Sequence, residues 1–350
     1  MKKWKNNIRQ VVPYVPGEQP EDRNVIKLNT NENPYPPAPG VMAAREQIGD
    51  LRLYPDPAAG QLVKAIADYK GLSEDQVFVG VGSDDVLAMS FMTFFNSDKP
   101  IFFPDITYSF YDVWADLFRI SYERKALDDD FCIRPGDYYP ENGGVIFPNP
   151  NAPTGILMDL SDIRDILEHN QDVIVIVDEA YIDFGGESAQ ELLTDFDNLL
   201  IVQTFSKSRS MAGVRIGYAM GAPEIIRALN DVKYSFNSYT LNQPSIVLGT
   251  VSLREEGYFK ETLKKITDTR EWFKKELARL NFSCPDSRAN FVFVTHDRLP
   301  ARDIFEAARA KNIYVRYFNK PRIDNYLRIS IGTMDEMKAF VAFLEEYVNH

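Results

Sequence analysis

The stretch VIVIVDEAYIDF (173–184), with LLIVQTFSKSRSMAGVRIGYAMG (199–221) close behind it, decides the fold. Five β-branched residues in a row at 173–177 leave no polar alternation, so the strand they form is covered on both faces. That is the pattern of a mostly parallel sheet lying between layers of helices. The first run stops at a carboxylate, Asp178. The second stops at Thr204-Phe205-Ser206-Lys207, with Gly213-Val214-Arg215 soon after. The gap between 205 and 215 is short for a crossover helix, so the strand at 215–221 is expected to join its neighbour antiparallel.

Similar apolar runs lie upstream: VFVGV (77–81), PIFFP (100–104) and GVIFP (144–148). Helical spacing falls between them at 84–96, 107–118 and 161–170. A second unit is expected from 245. Phe259, Leu263, Ile266, Phe273, Leu277 and Leu280 form one face of a long helix. Strands at 291–295, 313–318 and 326–332 follow, with a helix over 301–311. A capping box from Thr333 to Glu336 opens the last helix. The reading is therefore α/β: a mostly parallel mixed sheet sandwiched by helices over 41–244, and a smaller α+β domain over 245–350. Residues 1–40 hold seven prolines, which excludes a single helix or a central strand. They read as an arm anchored on the body by Tyr14, Ile26, Leu28 and Tyr35, with a disordered tail as the alternative.

Bulk properties narrow the function. The 350 residues are 45% hydrophobic and 26% charged, as expected of a globular chain with one large domain and a companion. A net charge of −12, with no segregated basic run, argues against nucleic acid as a partner. No apolar stretch is long enough to span a bilayer, and the basic N-terminus lacks a secretory core, so a cytoplasmic location is expected. Two distant cysteines, Cys132 and Cys284, and three scattered histidines, His169, His296 and His350, suggest neither a disulfide framework nor a metal site.

In such a sheet, ligands bind beyond the carboxyl ends of the strands. At those ends the chain presents Gly82-Ser83-Asp84 opening a helix, Asp178 through Tyr181, Ser206-Lys207 and Arg215. A helix start suits an anion, although taken alone Gly82-Ser83-Asp84 reads more readily as a plain structural turn. A carboxylate closing an apolar strand needs a cationic partner, unless it serves as a helix cap or lies at the surface. There is no P-loop and no complete dinucleotide fingerprint.

Taken together, PYVPGEQP (13–20), IKLNTNENPYPP (26–37), NPNAPTG (149–155), VDEAYIDF (177–184), TFSKSRSMAGVRIGY (204–218) and VRYFNKPRIDNYLRISIGT (315–333) resemble the fold-type-I aminotransferases that use pyridoxal 5′-phosphate (PLP). The two terminal motifs resemble the histidinol-phosphate branch. The likeness covers essentially the whole chain. It implies that Lys207 holds the cofactor as a Schiff base, Asp178 pairs with the ring nitrogen and Tyr181 donates to the phenolic oxygen. It further implies that Ser83, Asp84 (through its backbone), Ser206 and Arg215 hold the phosphate, and that Tyr108 stacks on the ring. Arg316, Arg328 and Tyr14 would bind substrate, with Tyr54 supplied by the neighbouring subunit of a homodimer. The substrates implied are histidinol phosphate and the glutamate/2-oxoglutarate pair. An aromatic aminotransferase and a threonine-phosphate decarboxylase-like enzyme share the same core motifs. One position departs from the family: Ala152 stands where an asparagine usually donates to the phenolic oxygen. Either Asn151 reaches in, or that oxygen has one donor fewer.

Overall fold

In the computed structural model, which describes every residue except Met1, Arg23 and His350 (and of Gln47 only the backbone), the apolar runs become short strands side by side. The N-terminal segment supplies β1 (Ile26–Lys27) and α1 (Pro39–Ala43), followed by α2 (Gly60–Lys70), β2 (Val77–Gly80) and α3 (Ser83–Phe94). Next come β3 (Ile101–Pro104), α4 (Phe110–Phe118), β4 (Tyr122–Lys125), β5 (Val145–Pro148) and α5 (Leu160–Glu168). The sheet closes with β6 (Val175–Asp178), β7 (Leu199–Thr204) and β8 (Gly217–Gly221), and then α6 (Pro223–Phe236) and α7 (Gln243–Ser252). The remainder is α8 (Glu256–Arg279), β9 (Phe282–Ser283), β10 (Phe291–His296), α9 (Ala301–Ala310), β11 (Ile313–Tyr314), β12 (Arg316–Tyr317), β13 (Leu327–Ser330) and α10 (Met334–Val348).

The seven-stranded sheet has the order β2-β8-β7-β6-β5-β3-β4. The five strands from β7 to β4 run parallel, and β8 lies antiparallel to both β7 and β2, as the short 205–215 connection requires. Every residue of β2, β3, β5, β6 and β7 is buried. Alternate side chains feed two separate cores. Val145, Val175, Leu199 and Ile201 join one face, while Ile146, Ile176, Leu200 and Val202 join the other. Removing one such side chain, as in Ile176→Ala, costs about 2–5 kcal/mol, because a cavity adds to the lost transfer energy.

The smaller unit is built on the antiparallel sheet β12-β13-β10-β9. The long helix α8 packs Ile266, Phe273 and Leu277 against it, and α10 packs Met337, Phe340 and Leu344. The α10 capping box forms as read: Glu336 N–H donates to Thr333 Oγ, and Thr333 N–H donates to Glu336 Oε2 at 2.7 Å. The N-terminal arm is tied down where β1 pairs in parallel with β11.

Two expectations change, and one strand is new. The boundary at 245 falls inside α7, which packs Ile246 and Leu248 into the core of the large sheet. Asn242 caps that helix, accepting from Ser245 N–H at 2.8 Å, and Pro244 lies in its first turn. The 313–318 strand divides, since Ile313 and Tyr314 pair with β1 whereas Arg316 and Tyr317 pair with β13. β4 was not foreseen. Among the described residues, no helix is long and apolar enough to cross a membrane.

Candidate active site

The carboxyl ends of the parallel strands converge with residues 29–31 of the arm and with β13. Asp178, last in β6, is only 5% exposed. Tyr111 O–H donates to its Oδ2 at 2.9 Å, and Ala180 N–H reaches Oδ1 at 3.2 Å. Burial lifts its carboxyl to about 6, against the pull of those two donors. Among the described residues no cation pairs with it. Lys207 and Tyr181 follow at the ends of the same strands. Lys207 Nζ lies 5.7 Å from the Tyr181 ring centroid and donates to Thr30 O at 3.3 Å. Asn33 Nδ2 holds the same loop by donating to Lys207 O at 3.0 Å and Ser208 O at 3.1 Å.

Past the same strand ends Ser83, Ser206 and Arg215 form a cradle. Ser83 is the first residue of α3, after Gly82 at φ 82°. Arg215 reaches across, donating to Ser206 Oγ at 3.3 Å and to Asp84 Oδ2 at 3.2 Å. Two glycines keep the approach open. A Cβ at Gly82 would meet the Arg215 guanidinium at 2.4 Å, and one at Gly217 would meet Ser83 N at 2.3 Å. Tyr108 borders the cradle, its O–H donating to Asp84 Oδ1 at 2.8 Å. Burial and the Asp84 carboxylate push its hydroxyl well above the ordinary tyrosine value.

Two arginines come from the sheet of the smaller unit. Arg316 of β12 and Arg328 of β13 are direct partners across an antiparallel ladder. Like charges set opposite each other repel. The ion pairs nearby go to other arginines, Arg309–Glu18 and Arg322–Asp105, and neither Arg316 nor Arg328 has one among the described residues. Arg328 donates to Asn29 O at 3.0 Å, while its Nε is enclosed with no partner. Burial, helped by repulsion from Arg316, holds its guanidinium below the usual value, while Tyr181, Tyr14 and Tyr108 pull the other way. Tyr14 stacks on Phe110 at 4.2 Å beside this pair; burial pushes its hydroxyl up, and Arg316 and Arg328 pull it partway back.

Two residues stand apart from this gathering. Tyr54 is 82% exposed and stacks on Tyr239 at 4.7 Å. Asn151 is buried, and its side chain is fully engaged. Its Nδ2 donates to Ile106 O at 3.0 Å and Thr154 Oγ1 at 3.2 Å, and its Oδ1 accepts from Thr107 O–H at 3.1 Å. The sequence reading missed Tyr111, Asn31 and Asn33. Tyr111 lies one helical turn beyond Tyr108, a signal that was available. The asparagines sit inside a quoted motif, but nothing in it says what each one touches. Among the described residues, no group of three or more His, Cys, Asp or Glu side chains is arranged to hold a metal.

Residues 23–344 match the model of the family "Aminotransferase class I and II". The chain is 50% identical over 350 residues to a histidinol-phosphate aminotransferase of Clostridium botulinum (strain Kyoto / Type A2), covering 99% of both chains. It is 51% identical over 349 residues to the enzyme of that name from Lactococcus lactis subsp. cremoris (strain MG1363), covering 99% of this chain and 98% of that one. Its fold is similar to that of the histidinol-phosphate aminotransferase of Sinorhizobium meliloti solved with pyridoxal-5′-phosphate. The TM-score is 0.84 at 24% identity, covering 93% of this chain and 92% of that one.

Proposed function

This chain belongs to the class I and II aminotransferases, and from that membership we infer its reaction: reversible transfer of an amino group between L-histidinol phosphate and 2-oxoglutarate. It is a PLP-dependent transaminase of histidine biosynthesis. The observation that carries the choice of substrates is the pair Arg316 and Arg328, which face each other across the β12–β13 ladder and have no ion-pair partner among the described residues. A phosphate ester and a carboxylate are both anions that guanidinium forks grip. One site can therefore accept either amine.

The residues present fit the cofactor. Asp178 is a buried acid lacking a cation, and a protonated ring nitrogen would supply it. Ser83, the backbone at Asp84, Ser206 and Arg215 would hold the phosphate in the cradle that Gly82 and Gly217 leave open. Tyr108 would cover the ring, Tyr181 would donate to the phenolic oxygen, and Lys207 Nζ would hold the aldehyde carbon. With its amide hydrogens already given to Ile106 and Thr154, Asn151 braces the loop, and Ala152 leaves the phenolic oxygen one donor fewer.

When bound, the cofactor supplies an aldehyde that takes the amino group and a protonated ring that accepts the electrons of a broken C–H bond. The chain does the rest. Asp178, kept ionised by that ring proton, fixes the charge that makes the electron flow favourable. Lys207 Nζ, as a neutral amine, would be the base that carries a proton between the two carbons flanking the amino nitrogen. Arg328 and Arg316 orient the substrate by its anionic end, and Tyr14 packs beside them.

Two copies form the working unit in this reading. Trp4, Val12, Val15, Leu51, Leu53, Tyr54 and Phe236 are exposed apolar side chains that a second subunit would cover, with Tyr54 delivered to the partner's site. Cytoplasmic location belongs to the same reading and is supported by the free thiols Cys132 and Cys284. The test is turnover of histidinol phosphate with 2-oxoglutarate by purified protein, set against phenylalanine and aspartate. A large preference for either amino acid would overturn the substrate assignment.

A further inference from the structure

Asn31 makes more specific contacts than a loop residue needs. It is 1% exposed and adopts φ 56°, a left-handed conformation that asparagine tolerates better than most residues. Its carbonyl accepts from Asn290 Nδ2 at 3.0 Å. Its backbone N–H donates to Ser330 Oγ at 2.8 Å, and Ser330 O–H donates to its Oδ1 at 3.0 Å. Its Nδ2 donates to the Tyr181 hydroxyl at 3.0 Å.

The protons in this chain can be followed one at a time. In the structure Ser330 Oγ accepts that backbone N–H and gives its single proton to Asn31 Oδ1. That fixes which end of the carboxamide is oxygen and turns the amino end to Tyr181. An amino group only donates, so the Tyr181 oxygen accepts there and its one proton points elsewhere. Among the described residues nothing accepts that proton. Around the ring lie the edge of Phe291, with centroids 5.0 Å apart and planes at 89°, and the methyl groups of Ala152 and Ala289. The titratable and charged groups facing Tyr181 are Lys207, Tyr14, Tyr108, Tyr111 and Arg328.

We propose that Asn31 is a positioning residue: it occupies the acceptor side of the Tyr181 hydroxyl, so that the proton is committed to the cofactor's phenolic oxygen, where Ala152 has removed the usual second donor. This rests on the reading of Tyr181 given above and extends it. The direction of the hydroxyl is set from the smaller unit, because Ser330 lies on β13 two residues beyond Arg328, whose guanidinium holds Asn29 O. The consequence is electrostatic. A donor at the phenolic oxygen drains negative charge from it, so the proton on the neighbouring nitrogen of the Lys207–cofactor linkage is held less tightly and leaves at lower pH.

The test is a visible-absorbance pH titration of cofactor-loaded protein: wild type, N31D, N31G, Y181F and N31D/Y181F. Aspartate keeps the backbone preference but only accepts, so it captures the Tyr181 proton. Glycine suits the left-handed φ and leaves the hydroxyl free to turn. The expected result is a titration midpoint raised by roughly one pH unit in Y181F and in N31D, the worth of one charge-assisted hydrogen bond. N31G should fall between these and wild type, and N31D should add little in the Y181F background. If N31D shifts the midpoint equally in both backgrounds, it acts as a bare charge and the proposal fails. If Y181F shifts it while N31D and N31G do not, Asn31 alone is dismissed. A Y181F titration identical to wild type removes Tyr181 from the phenolic oxygen, and Asn31 with it.

Discussion

Replacing Arg328 by methionine separates binding from stability, and the structure gives both magnitudes. Methionine keeps most of the stem's packing and removes the guanidinium. Folding loses one hydrogen bond, to Asn29 O, worth about 1 kcal/mol. It also sheds an enclosed Nε with no partner, a burden of about 1–3 kcal/mol, and the repulsion from Arg316, roughly 0.2–1 kcal/mol. The cofactor-free variant should therefore be as stable as wild type or slightly more so, its Tm unchanged or raised by roughly 2 °C. Substrate binding loses a charge-assisted fork in a sheltered site, about 2–5 kcal/mol. At 1.36 kcal/mol per tenfold, kcat/KM should fall roughly thirty- to several-thousand-fold. Both half-reactions should suffer alike, because phosphate and carboxylate use the same fork. Scanning fluorimetry of the cofactor-free protein and steady-state kinetics with each amine read the two effects. A fall below tenfold, a fall with one amine only, or a Tm loss above about 5 °C would refute the reasoning, the last by making Arg328 a structural residue.

Asp178 predicts a pH dependence for the cofactor-free protein. Its carboxyl is raised from 3.8 to about 6 in the fold, so folding favours its protonated form. Stability from this group is then absent well above pH 6 and grows as pH falls from 6 toward 4, up to roughly 3 kcal/mol. Comparing Tm against pH for wild type and D178N should show the gap closing on that side, and parallel curves would contradict it. Loading the cofactor should abolish the trend, since the ring proton holds the acid ionised. Borohydride reduction of loaded protein should fix the label on Lys207 alone, and a labelled peptide elsewhere would end the reading. Mixing inactive K207A with inactive Y54A should restore about a quarter of wild-type activity through hybrid dimers, each with one intact site. No recovery after subunit exchange would place Tyr54 outside the partner's site.

What the sequence disclosed and what it withheld divide along a physical line. Strands buried on both faces announce themselves, because nothing but continuous apolar residues survives there. β6 and β7 were therefore legible, and so were the positions of Asp178 and Lys207 at or just past their ends. β4 was not: its residues Tyr122 to Lys125 read YERK, and its outer residues are only half-buried, which is how an edge strand looks when written out. The division of 313–318 was hidden for another reason. Ile313 and Arg316 differ only in which distant strand they meet, and local pattern carries no such information.

The site follows the same rule with a sharper consequence. Lys207, Asp178 and Arg215 sit at strand ends or in the turn that follows, so their positions are inherited from the sheet. Asn31 acquires its meaning only from Ser330, 299 residues away, and from a proton count that no spacing encodes. Its orientation of Tyr181 exists because the arm is clamped between the two units. A change at Ser330 should therefore alter the cofactor's environment as surely as a change beside it. Ser330→Ala frees Asn31 Oδ1 to turn toward Tyr181 and accept its proton, which should raise the same titration midpoint in the direction of N31D. A Ser330→Ala titration at the wild-type value would show that the carboxamide keeps its orientation without the serine, and that the clamp is not what aims the hydroxyl.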